Sequence, residues 1–387
     1  MSAPSFRDFD AAGFLADHWQ KQPLLIRNPW QAWSNPLPPD ELAGLACEAG
    51  VESRLIQQTT PEQLQLEHGP LSPDQFGELQ RHPWTLLVQA VDHYVPAVAA
   101  LLDPFRFIPN WRVDDVMVSY AVDGGGVGAH FDMYDVFLVQ GLGRRRWRIG
   151  QQCDETTPLR PHDGLRLLAQ FEPTAEWVLE PGDILYIPPG FAHEGVAVGD
   201  DCMTYSIGFR APSRAELLSG WIDHALDTLT DDDRYTDPDL RMQENPGEIL
   251  SDALDRVEEM VKQSLSDRAA FARWFGEYTT APKADRIDWA PDASVSVQDI
   301  RSAMQSGATV VRNPASRFAF VRQEAGSVTL FVDGLAHECD GVAADIAENL
   351  CAASETEIDA ALAASDAVTM LIRDLVNRGC VAFADND

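Results

Sequence analysis

The chain has 387 residues, more than one hydrophobic core ordinarily organises, so it reads as two or three domains, and an apolar content of 45% gives each a core. It carries 29 Lys and Arg against 61 Asp and Glu. The resulting net charge of −32 sets aside free nucleic acid and anionic membranes as partners and favours basic proteins. Six scattered cysteines (47, 153, 202, 339, 351 and 380) without a C-x-x-C pair suit reduced thiols. With no signal-peptide pattern and no apolar run near the roughly 18–20 residues of a membrane span, a cytoplasmic location is expected.

Residues 8–19 place Phe9, Phe14, Leu15 and Trp19 at helical spacing, and 22–27 follow as a short apolar strand. A helix is predicted over 38–50, an apolar run over 85–92 and another helix over 95–102, together forming a cap on a β core. From about 111 to 211 the pattern changes to short strands punctuated by Gly and Pro, at 116–122, 134–141, 147–149, 176–179, 184–187 and 203–209. Such spacing predicts a sandwich or jelly roll.

After Arg210 the chain turns helical. Ser213 and Glu216 form a capping-box signature opening a helix over 213–229, the acidic turn 231–233 reads as a solvated loop, and a second helix is predicted over 247–276. Its stripe of Leu250, Leu254, Val257, Val261 and Leu265 makes 213–276 a candidate dimerisation surface. The last segment combines strands at 318–323 and 328–332 with helices at 342–351, 356–363 and 367–378, a winged-helix-like set. Residues 281–387 hold eight basic and seventeen acidic side chains, which is wrong for phosphate contact and right for a protein-binding domain.

Two stretches of the β region carry chemistry: Gly-Ala-His-Phe-Asp at 128–132 and Pro-Gly-Asp-Ile-Leu-Tyr-Ile-Pro-Pro-Gly-Phe-Ala-His at 181–193. In an extended strand His130 and Asp132 share a face, and His193 can supply a third ligand. Two imidazoles and one carboxylate with open positions match the facial site of non-haem Fe(II) oxygenases. The glycine loop 124–128 lacks the Lys-Ser/Thr of a nucleotide site and precedes a strand.

In the run 144–148, Arg-Arg-Arg-Trp-Arg, an inward Trp147 brings Arg145 to the same interior face. A guanidinium turned into a β core needs an anion, either a dicarboxylate co-substrate or a protein carboxylate. Ser119 on a neighbouring strand could donate to that same anion.

Residues 124–132 and 182–193 resemble the two motifs of the cupin superfamily, and more narrowly the JmjC 2-oxoglutarate oxygenases. Residues 132–148, 181–195 and 205–212, the last reading Tyr-Ser-Ile-Gly-Phe-Arg-Ala-Pro, resemble the bacterial ribosomal oxygenases, closest to the branch acting on an arginine of large-subunit ribosomal protein sixteen. The resemblance covers nearly the whole chain. It implies an α+β protein with a double-stranded β-helix core, divided into a catalytic domain with N-terminal cap (1–212), a helical dimerisation domain (213–280) and an acidic winged-helix domain (281–387).

It further implies Fe(II) on His130, Asp132 and His193, with 2-oxoglutarate on Arg145 and Ser119 and O2 as the second co-substrate. Asp115, Tyr134 and Ser206 would form a pocket for the target arginine, Asp115 facing the guanidinium and the Tyr134 ring covering its stem. Asp115 shares strand parity with Ser119, and Asp114 is its adjacent competitor. The implied partner is a basic ribosomal protein, free or nascent. A small-molecule cupin enzyme or a non-catalytic cupin scaffold would keep the two motifs without needing the C-terminal helices.

Overall fold

The structure is a computed structural model, and it describes residues 4–60, 63–77, 79, 82–230, 232–283 and 289–384. The N-terminal cap contains helices α1 (Ala11–Asp17), α2 (Pro39–Ala46), α3 (Pro73–Phe76) and α4 (Pro96–Ala99) and strands β1 (Leu24–Ile26), β2 (Ser53–Thr60), β3 (Gln63–His68) and β4 (Trp84–Val88). Pro39 at the first helical position with Asp40 and Glu41 in the first turn starts α2 as its dipole requires. The β core follows as β5 (Val113–Ala121), β6 (Asp135–Gln152), β7 (Leu159–Arg160), β8 (Leu167–Leu168), β9 (Ala175–Leu179), β10 (Ile184–Ile187) and β11 (Phe191–Phe209).

These strands join an antiparallel sheet in the order β1-β10-β6-β11-β5-β4-β2-β3, with β9 also on β6, while β7 and β8 pair separately. The predicted strands 134–141 and 147–149 are one strand, and 203–209 is the end of another that begins at Phe191. β6 and β11 pair along two stretches, separated by a register shift between Val198 and Met203, so both span the two halves of the fold. Alternation along β6 divides the interior: Phe137 and Val139 face the aromatic core under the cap, whereas Val136 and Leu138 face the opposite cavity. β2 and β3, which the polar-rich sequence did not announce, extend the sheet beside β4.

Helix α5 (Arg214–Leu226) opens with the predicted capping box, Ser213 accepting from the Glu216 N–H and Glu216 from the Ser213 N–H. The predicted helix 247–276 is two, α6 (Ser251–Leu265) and α7 (Arg268–Thr280). Asp267 breaks it, because its carboxylate accepts from the Ala269 and Ala270 N–H groups and starts a new helix. Leu254, Val257 and Val261 of α6 remain about half exposed. Of the acidic turn, Asp232 and Asp233 are exposed and Asp231 lies outside the described residues.

The C-terminal part contains α8 (Val297–Gln305), β12 (Thr309–Arg312), β13 (Phe318–Arg322), β14 (Val328–Val332), β15 (Leu335–Cys339), α9 (Val342–Ala352), β16 (Glu355–Glu357), α10 (Ala360–Ala364), α11 (Asp366–Asn377) and β17 (Val381–Phe383). The predicted helix 356–363 is instead strand β16 followed by α10, because Thr356 pairs with Val310 and Asp359 caps the short helix behind it. Helix α7 packs on the β13-β14-β15 sheet, with Gly276 so close that a Cβ there would lie 2.4 Å from the Phe331 ring.

Candidate active site

His130 and His193 face each other across an isolated antiparallel bridge and exchange both main-chain hydrogen bonds, at 3.0 and 2.8 Å. His130 and Asp132 thus lie not in a regular strand, as sequence parity predicted, but in a single bridge and the irregular segment after it. Gly190, at φ +80°, closes the Pro-Pro-Gly turn and donates its N–H to the Asp132 carbonyl at 2.7 Å. The two motifs are therefore locked by backbone before any side chain contributes.

The Nδ1 atoms of His130 and His193 each lie 2.9 Å from a carbonyl oxygen two residues earlier, of Gly128 and Phe191. Donating Nδ1–H there leaves both Nε2 lone pairs free, the arrangement in which metal-binding imidazoles are oriented. They point at Asp132 Oδ2 from 3.8 and 3.6 Å, and one ligand atom from each of the three residues lies within 4.8 Å of the others. Burial and the neighbouring His130 push His193 down to about 4, so its ring is neutral and available as a ligand. The donor set fits a divalent transition metal.

Beside this triad lies a cavity of about 440 Å³. Ser119, Tyr134, Arg145 and Ser206 all line it, as do His130, Asp132 and His193. Arg145 is 3% exposed and shares its face with buried Trp147, while Arg144 and Arg146 are exposed, the parity expected from the sequence. Arg148 pairs with Glu194 instead. Among the described residues the Arg145 Nε and Nη2 have no hydrogen-bond partner, although both are buried. A guanidinium left so in a cavity calls for an anionic ligand.

Ser119 Oγ lies 3.4 Å from the Thr204 carbonyl. Tyr134 is 42% exposed as a residue, but desolvation of its hydroxyl and the carboxylates of Asp132, Asp115 and Asp114 raise its pKa well above that of a free phenol, so it is a donor throughout the physiological range. Sequence reasoning had given that ring only an apolar role. Asp115 is buried but does not line the cavity directly. Gln89 Nε2 donates to both of its oxygens, and Lys283 forms an ion pair with it. Asp114 lies towards Arg317 at 3.2 Å and Arg210 at 4.0 Å on the junction with the C-terminal part, and shares Lys283, at 3.4 Å, with its neighbour.

Gln89, Lys283 and the cavity-lining Arg54 escaped the sequence reading. Only Lys283 left a trace, as one of three lysines in an arginine-rich chain.

A jelly-roll core presenting this donor set beside an unpaired buried arginine defines a cupin-type metalloenzyme. Residues 100–217 match the family model of the JmjC domain, and 263–382 that of the ROXA-like winged helix. The chain is 42% identical over 300 residues to the ribosomal protein uL16 3-hydroxylase of Escherichia coli K12, covering 77% of this chain and 79% of that one. It is 35% identical to a probable ribosomal oxygenase of Haemophilus influenzae, covering 70% and 68%. The structure of the E. coli ribosomal oxygenase YcfD in complex with cobalt and 2-oxoglutarate superposes with a TM-score of 0.86 at 35% identity, covering 99% of this chain and 100% of that one. The chain belongs to the JmjC ribosomal oxygenases. It is an Fe(II)-dependent enzyme with 2-oxoglutarate and O2 as co-substrates.

Proposed function

We propose that this enzyme 3-hydroxylates an arginine of large-subunit ribosomal protein uL16 in the cytoplasm. The observation that carries the reading is the convergence of His130, Asp132 and His193 on one cavity with an unpaired, buried Arg145. In this reading the three side chains hold Fe(II), and Arg145 with Ser119 binds the distal carboxylate of 2-oxoglutarate. Bound there, Fe(II) supplies the oxidation that converts 2-oxoglutarate and O2 to succinate and CO2 and hydroxylates an unactivated carbon. The protein's own task is positioning. Tyr134, Ser206 and Asp115 orient the target, the Tyr134 ring covering its aliphatic stem and Asp115 presenting a buried negative charge to its guanidinium. The net charge of −32 supports attraction of a basic protein, and favours one not yet wrapped in RNA.

Hydroxylation of a uL16 peptide, read as a mass gain of one oxygen with equimolar succinate, tests the assignment. Asp132→Ala should abolish both products. Succinate release that the peptide does not stimulate would refute the substrate.

We also read 1–212 as the catalytic domain, 213–280 as a dimerisation region and 281–387 as the acidic winged-helix domain, with α7 fastening the last two together. The half-exposed apolar stripe of α6 supports a homodimer. A monomeric mass in light scattering at micromolar concentration would overturn that.

A further inference from the structure

The ion pair at Asp115 joins a fixed partner to a retractable one. The Asp115 side chain is 4% exposed, and Gln89 grips both of its oxygens at 3.0 and 2.9 Å. The Lys283 side chain is 32% exposed, enters from the segment following α7, and also lies 3.4 Å from Asp114. Asp115 extends the face of β5 that carries Met117 and Ser119 into the cavity, and Met117 stands directly opposite Ser206. An ammonium supplied by the chain itself thus sits at the end of the proposed substrate pocket.

We propose that Lys283 is an internal competitor for the substrate's cation: in the free enzyme it occupies Asp115, and an arginine-bearing substrate binds by displacing it. This rests on the assignment of Asp115 to the target guanidinium. A carboxylate buried this deeply is costly without a counter-charge, and Lys283 supplies one until substrate arrives. A planar guanidinium can engage both carboxylate oxygens through two parallel bonds, whereas an ammonium is a point charge on a flexible stem, so arginine is the better occupant. A neutral side chain offers nothing in exchange for the pair it would break. The lysine therefore weakens only a ligand that must take Asp115 from it, by the fraction of enzyme in which it holds that carboxylate, and a neutral side chain that leaves the pair in place is not affected.

Lys283→Met keeps the aliphatic stem and removes the charge. With zinc(II) and 2-oxoglutarate loaded to prevent turnover, its Kd for a labelled uL16 peptide carrying the target arginine should fall about 3- to 30-fold. KM with Fe(II) should fall in step. The gain should vanish for the same peptide with citrulline, which matches arginine in shape without its charge. In wild-type protein labelled with 13C at the lysine ε-carbon, three signals are expected, and that of Lys283 should move to the position of a solvated lysine as the arginine peptide binds. An unchanged Kd in Lys283→Met, an equal gain with the citrulline peptide, or a Lys283 signal that stays put would each overturn the proposal. Asp115→Asn separates the two layers. If it binds the arginine peptide as tightly as wild type, the assignment of Asp115 fails and takes the competitor with it. If it weakens binding while Lys283→Met changes nothing, the assignment stands and the competitor alone is refuted.

Discussion

Replacing Arg145 with methionine should make the ligand-free protein more stable and the enzyme inactive. Arg145 is 3% exposed, and its buried Nε and Nη2 find no acceptor among the described residues. A buried donor left unsatisfied costs about 1–3 kcal/mol, and methionine removes the charge and these donors while its unbranched stem stays beside Trp147, whose ring lies 5.9 Å from the guanidinium carbon. The gain expected in the free protein is therefore on the order of 1–3 kcal/mol. With 2-oxoglutarate the sign reverses, because the lost charge leaves a carboxylate buried without its partner at a cost of about 3–5 kcal/mol, or roughly 150- to 5,000-fold in Kd. Urea unfolding with chelator present measures the first effect, and calorimetric titration of 2-oxoglutarate into zinc-loaded protein the second. Saturating 2-oxoglutarate should raise the melting temperature of the wild type but not of the variant. Arg145→Met that is destabilised without ligand, or that binds 2-oxoglutarate like the wild type, would refute the view that this charge is held ready for an anion.

Asp92 provides a pH test away from the metal. It is buried, accepts from the Val116 N–H at 2.8 Å, and burial, with the charge of Asp115, pushes its carboxyl up to about 8. Because the folded value lies above the ordinary 3.8, the native state holds the extra proton, and the stability this group contributes is lost as pH rises through 8. Asp92→Asn, uncharged at every pH, should gain on the wild type by about 4 kcal/mol between pH 5 and pH 9, nearly all of it below pH 8, and a difference that stays flat in urea titrations would contradict this. Gly276→Ala should cost about 1–3 kcal/mol, since its Cβ would lie 2.4 Å from the Phe331 ring. Equal unfolding midpoints for this variant and the wild type would mean α7 does not hold the sheet as described.

The residues whose roles follow from local pattern were legible in the sequence, and those whose roles depend on distant partners were not. Strand alternation placed Arg145 inward and Arg144 and Arg146 outward, because the side-chain period of a strand is fixed by its pleat. The same rule gave the right neighbours for His130 and Asp132 but the wrong element, since a bridge and the irregular segment after it can hold two side chains on one side as a strand does. The break between α6 and α7 was written in Asp267, a capping residue just past the end of the apolar stripe at Leu265, which a single helix over 247–276 passed over. The partners of Asp115 were out of reach, because Gln89 and Lys283 come from elements 26 and 168 positions away, and no periodicity links them to it. The different surroundings of Asp114 and Asp115 were equally out of reach, because Arg317 meets Asp114 only once the C-terminal part has docked.

The mutual main-chain bonds between His130 and His193 bear on how such an enzyme lives with its ion. A ligand pair spaced by peptide groups keeps its shape through gain or loss of metal, unlike a zinc finger, whose fold and ion appear and vanish together. Occupancy is then a matter of supply rather than of folding. A cell short of iron would accumulate intact but idle enzyme, restored to work by the next atom that arrives.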